Sequence, residues 1–179
     1  MTTPNDIAVA KRYLGIEDKR MRVGFGYDIH QLKAGRPCIL GGVHIESDLG
    51  PDGHSDADVL IHALMDAMLG AAGLRDIGYY FPPEDDQYKG ISSMLLLEKV
   101  NFLLKERGLQ AYNIDIMVIS ETPKLKPHID MMKSNLQSIL EIPLDRISIK
   151  ATTNEMLGAI GRREGIAAQA VVSVYEGEI

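Results

Sequence analysis

From residue 21 to residue 27, Met21, Val23, Phe25 and Tyr27 alternate with Arg22, Gly24 and Gly26. A period of two is that of a strand, whose successive side chains point to opposite faces. Two glycines in such a segment predict that another part of the molecule approaches the backbone closely. Residues 37–40 and Val43–Ile45 are short runs joined by Gly41-Gly42, a pair suited to the tight turn of a hairpin. Farther on the period changes. Val59, Leu60, Ala63, Leu64, Ala67, Met68 and Ala71 recur at helical spacing behind Ser55 and Asp58. That pattern predicts a helix over 56–72, capped by Ser55 and stopped by Gly73. Residues 92–107 repeat the logic, with a serine cap, apolar Leu95, Leu96, Val100, Phe102 and Leu103, basic Lys105 and Arg107 at the end, and Gly108 beyond. This second helix displays no evident chemistry. Residues 113–120 read as a buried strand, 128–140 as a third helix, 146–153 as a strand and 165–176 as a final strand.

Helices and strands alternate irregularly after an early hairpin, so the fold class is read as α+β: a single mixed sheet with helices packed on one face. The last segment is apolar on both sides, with Ile166, Ala168, Ala170, Val172 and Val174 on one and Ala167 and Val171 on the other. A sheet face of that kind needs a cover, and further copies of the chain can supply it.

Composition narrows the classes of function. With 179 residues, 45% hydrophobic and 25% charged, the chain fits one domain with a real core. Its 19 basic and 25 acidic residues leave a net charge of -6, which argues against a nucleic-acid binder or a partner of anionic membranes. The single cysteine, Cys38, allows neither an intramolecular disulfide nor a cysteine-based metal cluster. The most apolar stretches, 60–74 and 94–104, are interrupted by Asp66 and by Glu98 and Lys99, short of the ~20 residues of a membrane span. The polar N-terminus is unlike a signal peptide, and a cytoplasmic protein is expected.

Asp28 and His30 close the first strand at i, i+2. Their side chains therefore leave one face roughly 7 Å apart at the Cβ atoms, given a rise of ~3.3 Å per residue. Both can reach one metal ion, although an isolated Asp-x-His serves equally as a hydrogen-bonded pair at a strand end. His62 is the candidate third ligand. It lies between Ile61 and Ala63 near the start of the first helix, a place that also suits a core histidine bonded to Asp58 or Asp66. Joined to Asp28 and His30 it makes an Asp/His/His set with an open fourth position, the donor pattern of a catalytic zinc without thiolates.

Two further segments carry candidate chemistry. His54-Ser55-Asp56-Ala57-Asp58 lies at a helix start, where free N–H groups and the helix dipole favour an anion such as phosphate; ordinary capping explains the same residues. Lys150-Ala151-Thr152-Thr153-Asn154-Glu155 ends a strand with two hydroxyls and a carboxylate. Those groups suit a phosphate with its magnesium ion; a threonine-rich strand end with Asn154 as a helix cap is the plainer alternative.

Together these segments resemble the 2-C-methyl-D-erythritol 2,4-cyclodiphosphate synthase family. The resemblance rests on Arg22-Val23-Gly24-Phe25-Gly26-Tyr27-Asp28-Ile29-His30, Leu40-Gly41-Gly42-Val43, His54 to Asp58, His62 to Gly70, Asp76-Ile77-Gly78, Phe81-Pro82, Lys89-Gly90, Pro123-Lys124, Pro127-His128-Ile129, Lys150 to Thr153 and Gly161-Arg162. These occur in the family's order from Met21 to about Glu176, and so many motifs in sequence are far more specific than any one.

The resemblance implies that Asp28, His30 and His62 bind zinc, that Glu155 holds magnesium or manganese, and that the substrate is a cytidine diphosphate-linked methylerythritol phosphate. It implies that Thr152 and Thr153 meet the α-phosphate, with Thr153 stabilising the transition state, and that His54 and Ser55 position the methylerythritol phosphate. Asp28, His30 and Phe81 also border the substrate. Asp76 and Gly78 are expected at the ribose, Lys89 and Ser93 near the sugar-phosphate end, and Ser120, Pro123, Lys124, Leu125 and Lys126 at the cytosine. It further implies a homotrimer with sheets around the threefold axis and sites shared between subunits. A central channel lined by Val23, Tyr27, Ile29, Ala159, Arg162 and Glu164 would take an isoprenoid diphosphate. Ala159 departs from the phenylalanine that several family members carry there.

Residues 1–20 lie outside this resemblance. They look like the end of a cytidylyltransferase that some bacteria fuse to the cyclase, leaving 21–179 as the synthase domain. Two other functions fit the same residues: a zinc phosphohydrolase that activates water, and a trimeric module that only binds isoprenoid diphosphates.

Overall fold

The alternating stretch that opens at Met21 continues for 14 residues as one long strand. The computed structural model describes residues 3–13 and 20–177. In chain order the elements are α1 (Pro4–Tyr13), β1 (Met21–Ala34), β2 (Cys38–Leu40), β3 (Val43–Ile45), β4 (Leu49–Asp52), α2 (Val59–Ala71), α3 (Ile77–Tyr80), α4 (Ser93–Lys105), β5 (Leu109–Ile119), α5 (Ile129–Leu140), β6 (Ile147–Thr152), α6 (Gly158–Gly161) and β7 (Gly165–Glu176). The class is α+β, as expected. Five strands form a mixed sheet in the order β4-β1-β7-β5-β6, antiparallel throughout except for the parallel pair β5/β6.

The expectation of a single sheet needs correction. β2 and β3 pair only with each other as a two-stranded hairpin. Gly41 and Gly42 turn it at φ 56 and 71, values that residues without a Cβ adopt at little cost.

The glycines of β1 explain how the layers stack. A Cβ on Gly24 would lie 1.9 Å from the Ala67 carbonyl oxygen, and one on Gly26 2.0 Å from that of Ala63. The backbone of α2 therefore rests directly on β1, which is the close approach that the sequence predicts. Ile166, Ala168, Ala170, Val172 and Val174 of β7 are buried on the same side. On the opposite side, Val23, Phe25, Tyr27, Ile29 and Val171 are exposed. The larger apolar residues of β1 thus face away from its own helices.

Boundaries differ where local chemistry competes with the periodic pattern. α2 begins at Val59 rather than 56, because Ala57 adopts φ 58, which a right-handed helix cannot contain. Its cap is Asp58, whose carboxylate accepts the Ile61 N–H at 3.2 Å. Ser55 does not cap this helix; its Oγ accepts the Ala57 N–H in the turn before it. Asn154 is not a helix cap either. Its side-chain amide donates to the Leu157 carbonyl, and α6 starts only at Gly158. Among the described residues no helix is long and apolar enough to cross a membrane.

Candidate active site

β1 sends Asp28 and His30 out on the same side as Gly24 and Gly26, toward α2, and α2 presents His62 in its first turn. The glycines are what allow His62 to come so near. His30 Nε2 stands 2.9 Å and His62 Nδ1 3.0 Å from one Asp28 oxygen, and the two nitrogens are 3.1 Å apart. Donors at ~2.0 Å around a tetrahedral zinc are separated by ~3.3 Å, so this triangle is close to one face of that polyhedron.

The outer nitrogens have polar partners of their own. His30 Nδ1 lies 2.8 Å from the Asp52 carbonyl oxygen, to which it donates. His62 Nε2 lies 3.0 Å from Ser93 Oγ and 3.2 Å from Ser55 Oγ. Ser93 Oγ in turn donates to Asp56. With Nδ1 donating to the Asp52 carbonyl, the neutral His30 ring carries its lone pair on Nε2, toward the Asp28 oxygen, and His62 does the same on Nδ1 when its Nε2 donates to Ser93. Three acceptors crowded together favour a cation between them. The charges respond accordingly. Burial pushes the Asp28 carboxyl up, but hydrogen bonds and attraction from His30 and His62 outweigh it and hold the group well below the usual carboxylate range. Burial pushes the His30 imidazole down, yet Asp28 and the Asp52 carbonyl carry it above its ordinary value. The residues fit a metal ion of the zinc type, with an oxygen and two nitrogens as donors.

His62 is therefore not the core histidine that bonds Asp58 or Asp66 through its ring. The Asp58 carboxylate takes the Gly42 and Ile61 N–H groups, and complete burial raises its pKa to about 6. Asp66 accepts the Ile77 N–H at 2.8 Å. The helix that showed no chemistry in sequence, α4, does supply Ser93 behind His62, and Ser93 is buried. Nothing periodic marks that link, since the two residues are 31 apart.

The candidate substrate residues divide between two cavities that share no lining residue. Asp28, His30, His54, Ser55, His62, Gly78 and Phe81 line the first, with Ile77, Pro83, Tyr88 and Leu96 added by the structure. Ser120, Pro123, Lys124, Leu125, Lys126, Thr152 and Thr153 line the second, with Glu121 and Ala151. Asp76, Lys89, Glu155, Ala159 and Arg162 are exposed and line neither cavity. Glu155 accepts the Thr153 hydroxyl at 2.9 Å, and Arg162 pairs with Glu164 at 2.7 Å. A lone exposed carboxylate such as Glu155 suits magnesium or manganese, which take one or two protein carboxylates together with substrate phosphates.

This is an α+β protein in which a strand and a helix bring together three donors able to hold a metal ion, beside a pocket. Residues 21–175 match the model of the YgbB family, and the chain belongs to that family. It is 59% identical to the curated 2-C-methyl-D-erythritol 2,4-cyclodiphosphate synthase of Synechococcus elongatus, over 85% of this chain and 95% of the relative. To the Cytophaga hutchinsonii synthase it is 54% identical over 85% and 96%. Among solved structures, the bifunctional IspDF of Campylobacter jejuni superposes with a TM-score of 0.86 at 41% identity, covering 94% of this chain and 47% of that one. A CDP-bound 2C-methyl-D-erythritol-2,4-cyclodiphosphate synthase superposes at 0.78 with 38% identity, over 84% and 98%.

Proposed function

We propose that this protein converts 4-diphosphocytidyl-2-C-methyl-D-erythritol 2-phosphate into 2-C-methyl-D-erythritol 2,4-cyclodiphosphate and cytidine monophosphate, a phosphorus–oxygen lyase step of non-mevalonate isoprenoid synthesis. The observation that carries this reading is the intact Asp28/His30/His62 face in a chain 59% identical to curated synthases over nearly their whole length.

The reaction forms a bond between a 2-phosphate oxygen and the β-phosphorus. The bond from the β-phosphorus to the bridging oxygen breaks, and cytidine monophosphate departs with that electron pair. The attacking phosphate monoester has a second pKa of about 6, so it is already mostly dianionic at pH 7 and needs no general base. His54 accordingly binds and orients rather than abstracts a proton, with Ser55 beside it. Thr152 and Thr153 offer hydroxyls to the α-phosphate, Thr153 where charge develops in the transition state. Asp76 and Gly78 take the ribose, and Lys89 the sugar-phosphate end. Zinc on the Asp28/His30/His62 face and magnesium or manganese at Glu155 would supply Lewis acidity and charge neutralisation to the two phosphates. Holding both phosphates in line can contribute ~7 kcal/mol or more.

The two cavities are read as halves of one site completed by a neighbouring subunit of a homotrimer, the second half receiving cytosine along 120–126. Two features support this: the cavities share no residue, and the outer face of β1 and β7 is apolar yet uncovered. The same face would border the central channel for an isoprenoid diphosphate. Residues 1–20 are read as the end of a fused cytidylyltransferase, supported by the alignment to the bifunctional structure, which covers 94% of this chain against 84% for the single-function one. A cytoplasmic location belongs to the same proposal.

Metal removal tests the assignment. The chelated protein should lose turnover of the cytidine diphosphate-linked substrate and regain it only when zinc and magnesium, or zinc and manganese, are both restored. Full turnover by protein free of zinc would overturn it.

A further inference from the structure

Glu155 and Met156 are consecutive residues with side chains, and both lie in the left-handed region, at φ 50 and 60. Such residues occur there uncommonly and as a rule singly. A conformation of this kind lasts only where its surroundings impose it. What imposes it here is a residue distant in sequence. Glu121 Oε1 accepts the Asn154 N–H at 3.0 Å and the Met156 N–H at 3.1 Å, the two amides that flank Glu155. One carboxylate oxygen thus clamps the loop on both sides of the candidate magnesium ligand.

Around the clamp the loop is further tied. Glu155 Oε1 accepts the Thr153 hydroxyl at 2.9 Å, and the Ser120 N–H donates to the Thr152 carbonyl at 3.0 Å. Glu121 itself belongs to the stretch that lines the second cavity together with Thr152 and Thr153. The segment read as the cytosine seat and the loop read as the phosphate and metal seat are therefore joined through this side chain. Hydrogen bonds from backbone amides to a carboxylate are stronger than those between neutral groups.

We propose that Glu121 is a positioning residue. By accepting the Asn154 and Met156 amides it holds Thr153 and Glu155 where the diphosphate and its divalent ion require them, and it couples nucleotide seating to metal binding. The proposal rests on the cyclodiphosphate synthase reading. Without the clamp the loop relaxes toward ordinary backbone angles, and a displacement of ~1 Å at such a group can lower turnover by up to ~100-fold. Glu121→Gln keeps an oxygen at the position of Oε1 and can accept both amides, whereas Glu121→Ala cannot.

The test is calorimetric titration of cytidine diphosphate, with and without magnesium, into the full chain and both variants, alongside zinc content, subunit assembly and turnover. In the unaltered protein magnesium should strengthen cytidine diphosphate binding. If it does not, the synthase reading fails before the variants are considered. Glu121→Ala should keep zinc and assembly, lose the strengthening by magnesium, and turn over at least about tenfold more slowly. Glu121→Gln should recover turnover to within about threefold. Equal magnesium response in Glu121→Ala and the unaltered protein overturns the proposal. So does failure of Glu121→Gln alongside Glu121→Ala with zinc retained, which would make the charge rather than the accepted amides responsible. Loss of zinc and assembly in both variants would show a general folding role, and also overturns it.

Discussion

At the scale of single residues, the metal face is the most demanding feature. Two imidazole nitrogens and a carboxylate oxygen lie within 3.1 Å of one another, and His62 is held there by Ser55 and Ser93. Removing one donor from three leaves a site with little affinity. His62→Ala should therefore lose its zinc and nearly all turnover while remaining folded and assembled, as metal analysis with native mass spectrometry would record. Full zinc occupancy in that variant would contradict the assignment. Asp28, His30 and His62 were legible in sequence because strand spacing and helix phase place their side chains on facing surfaces. The roles of Asp56 and Glu121 were not, and Ser93 was expected near the sugar-phosphate end, not behind His62. Each acts through a contact between distant segments, and neither a serine at a helix start nor a glutamate in a loop signals what it will meet.

At the scale of elements, the pairing of β1 with α2 sets the site. Asp28 and His30 reach His62 only because Gly24 and Gly26 let the helix backbone lie on the strand. A Cβ at residue 26 would meet the Ala63 carbonyl oxygen at 2.0 Å and the Ala67 nitrogen at 2.7 Å. Both obstacles are backbone and cannot rotate away. Gly26→Ala should cost ~3 kcal/mol or more in unfolding free energy and weaken zinc binding as α2 lifts; a denaturant curve superposing on that of the unaltered protein would refute the packing argument. Strong periods made β1, α4, α5 and β7 readable from the sequence. The start of α2 was misjudged because Ala57 adopts φ 58, which no propensity announces. β4, α3 and α6, of four residues each, are too short to develop a period.

At the scale of the molecule, the outer sheet face asks for a partner. Phe25 is 61% and Val23 67% exposed, part of an apolar strip on the face of β1 turned away from α2. Phe25→Lys should leave the protomer folded but yield monomers by sedimentation, and turnover should fall with assembly because the two half-sites no longer meet. An active monomer would exclude a shared site. In the proposed channel, Ala159 stands where the family resemblance leads one to expect a phenylalanine. Burying such a ring is worth ~1.5 to 3 kcal/mol, and ~1.4 kcal/mol is tenfold in affinity. Ala159→Phe should accordingly bind farnesyl diphosphate about tenfold more tightly by titration calorimetry; equal binding would take Ala159 out of the channel.

The assigned reaction predicts a product that no other use of the same metal face would release. The protein, loaded with zinc and magnesium, is incubated with 4-diphosphocytidyl-2-C-methyl-D-erythritol 2-phosphate and the products are resolved by phosphorus NMR. Equal amounts of cytidine monophosphate and the cyclic diphosphate, with two coupled phosphorus signals and no inorganic phosphate, are expected. Inorganic phosphate with no cyclic product would mean that Asp28, His30 and His62 serve a hydrolase, and would contradict the account.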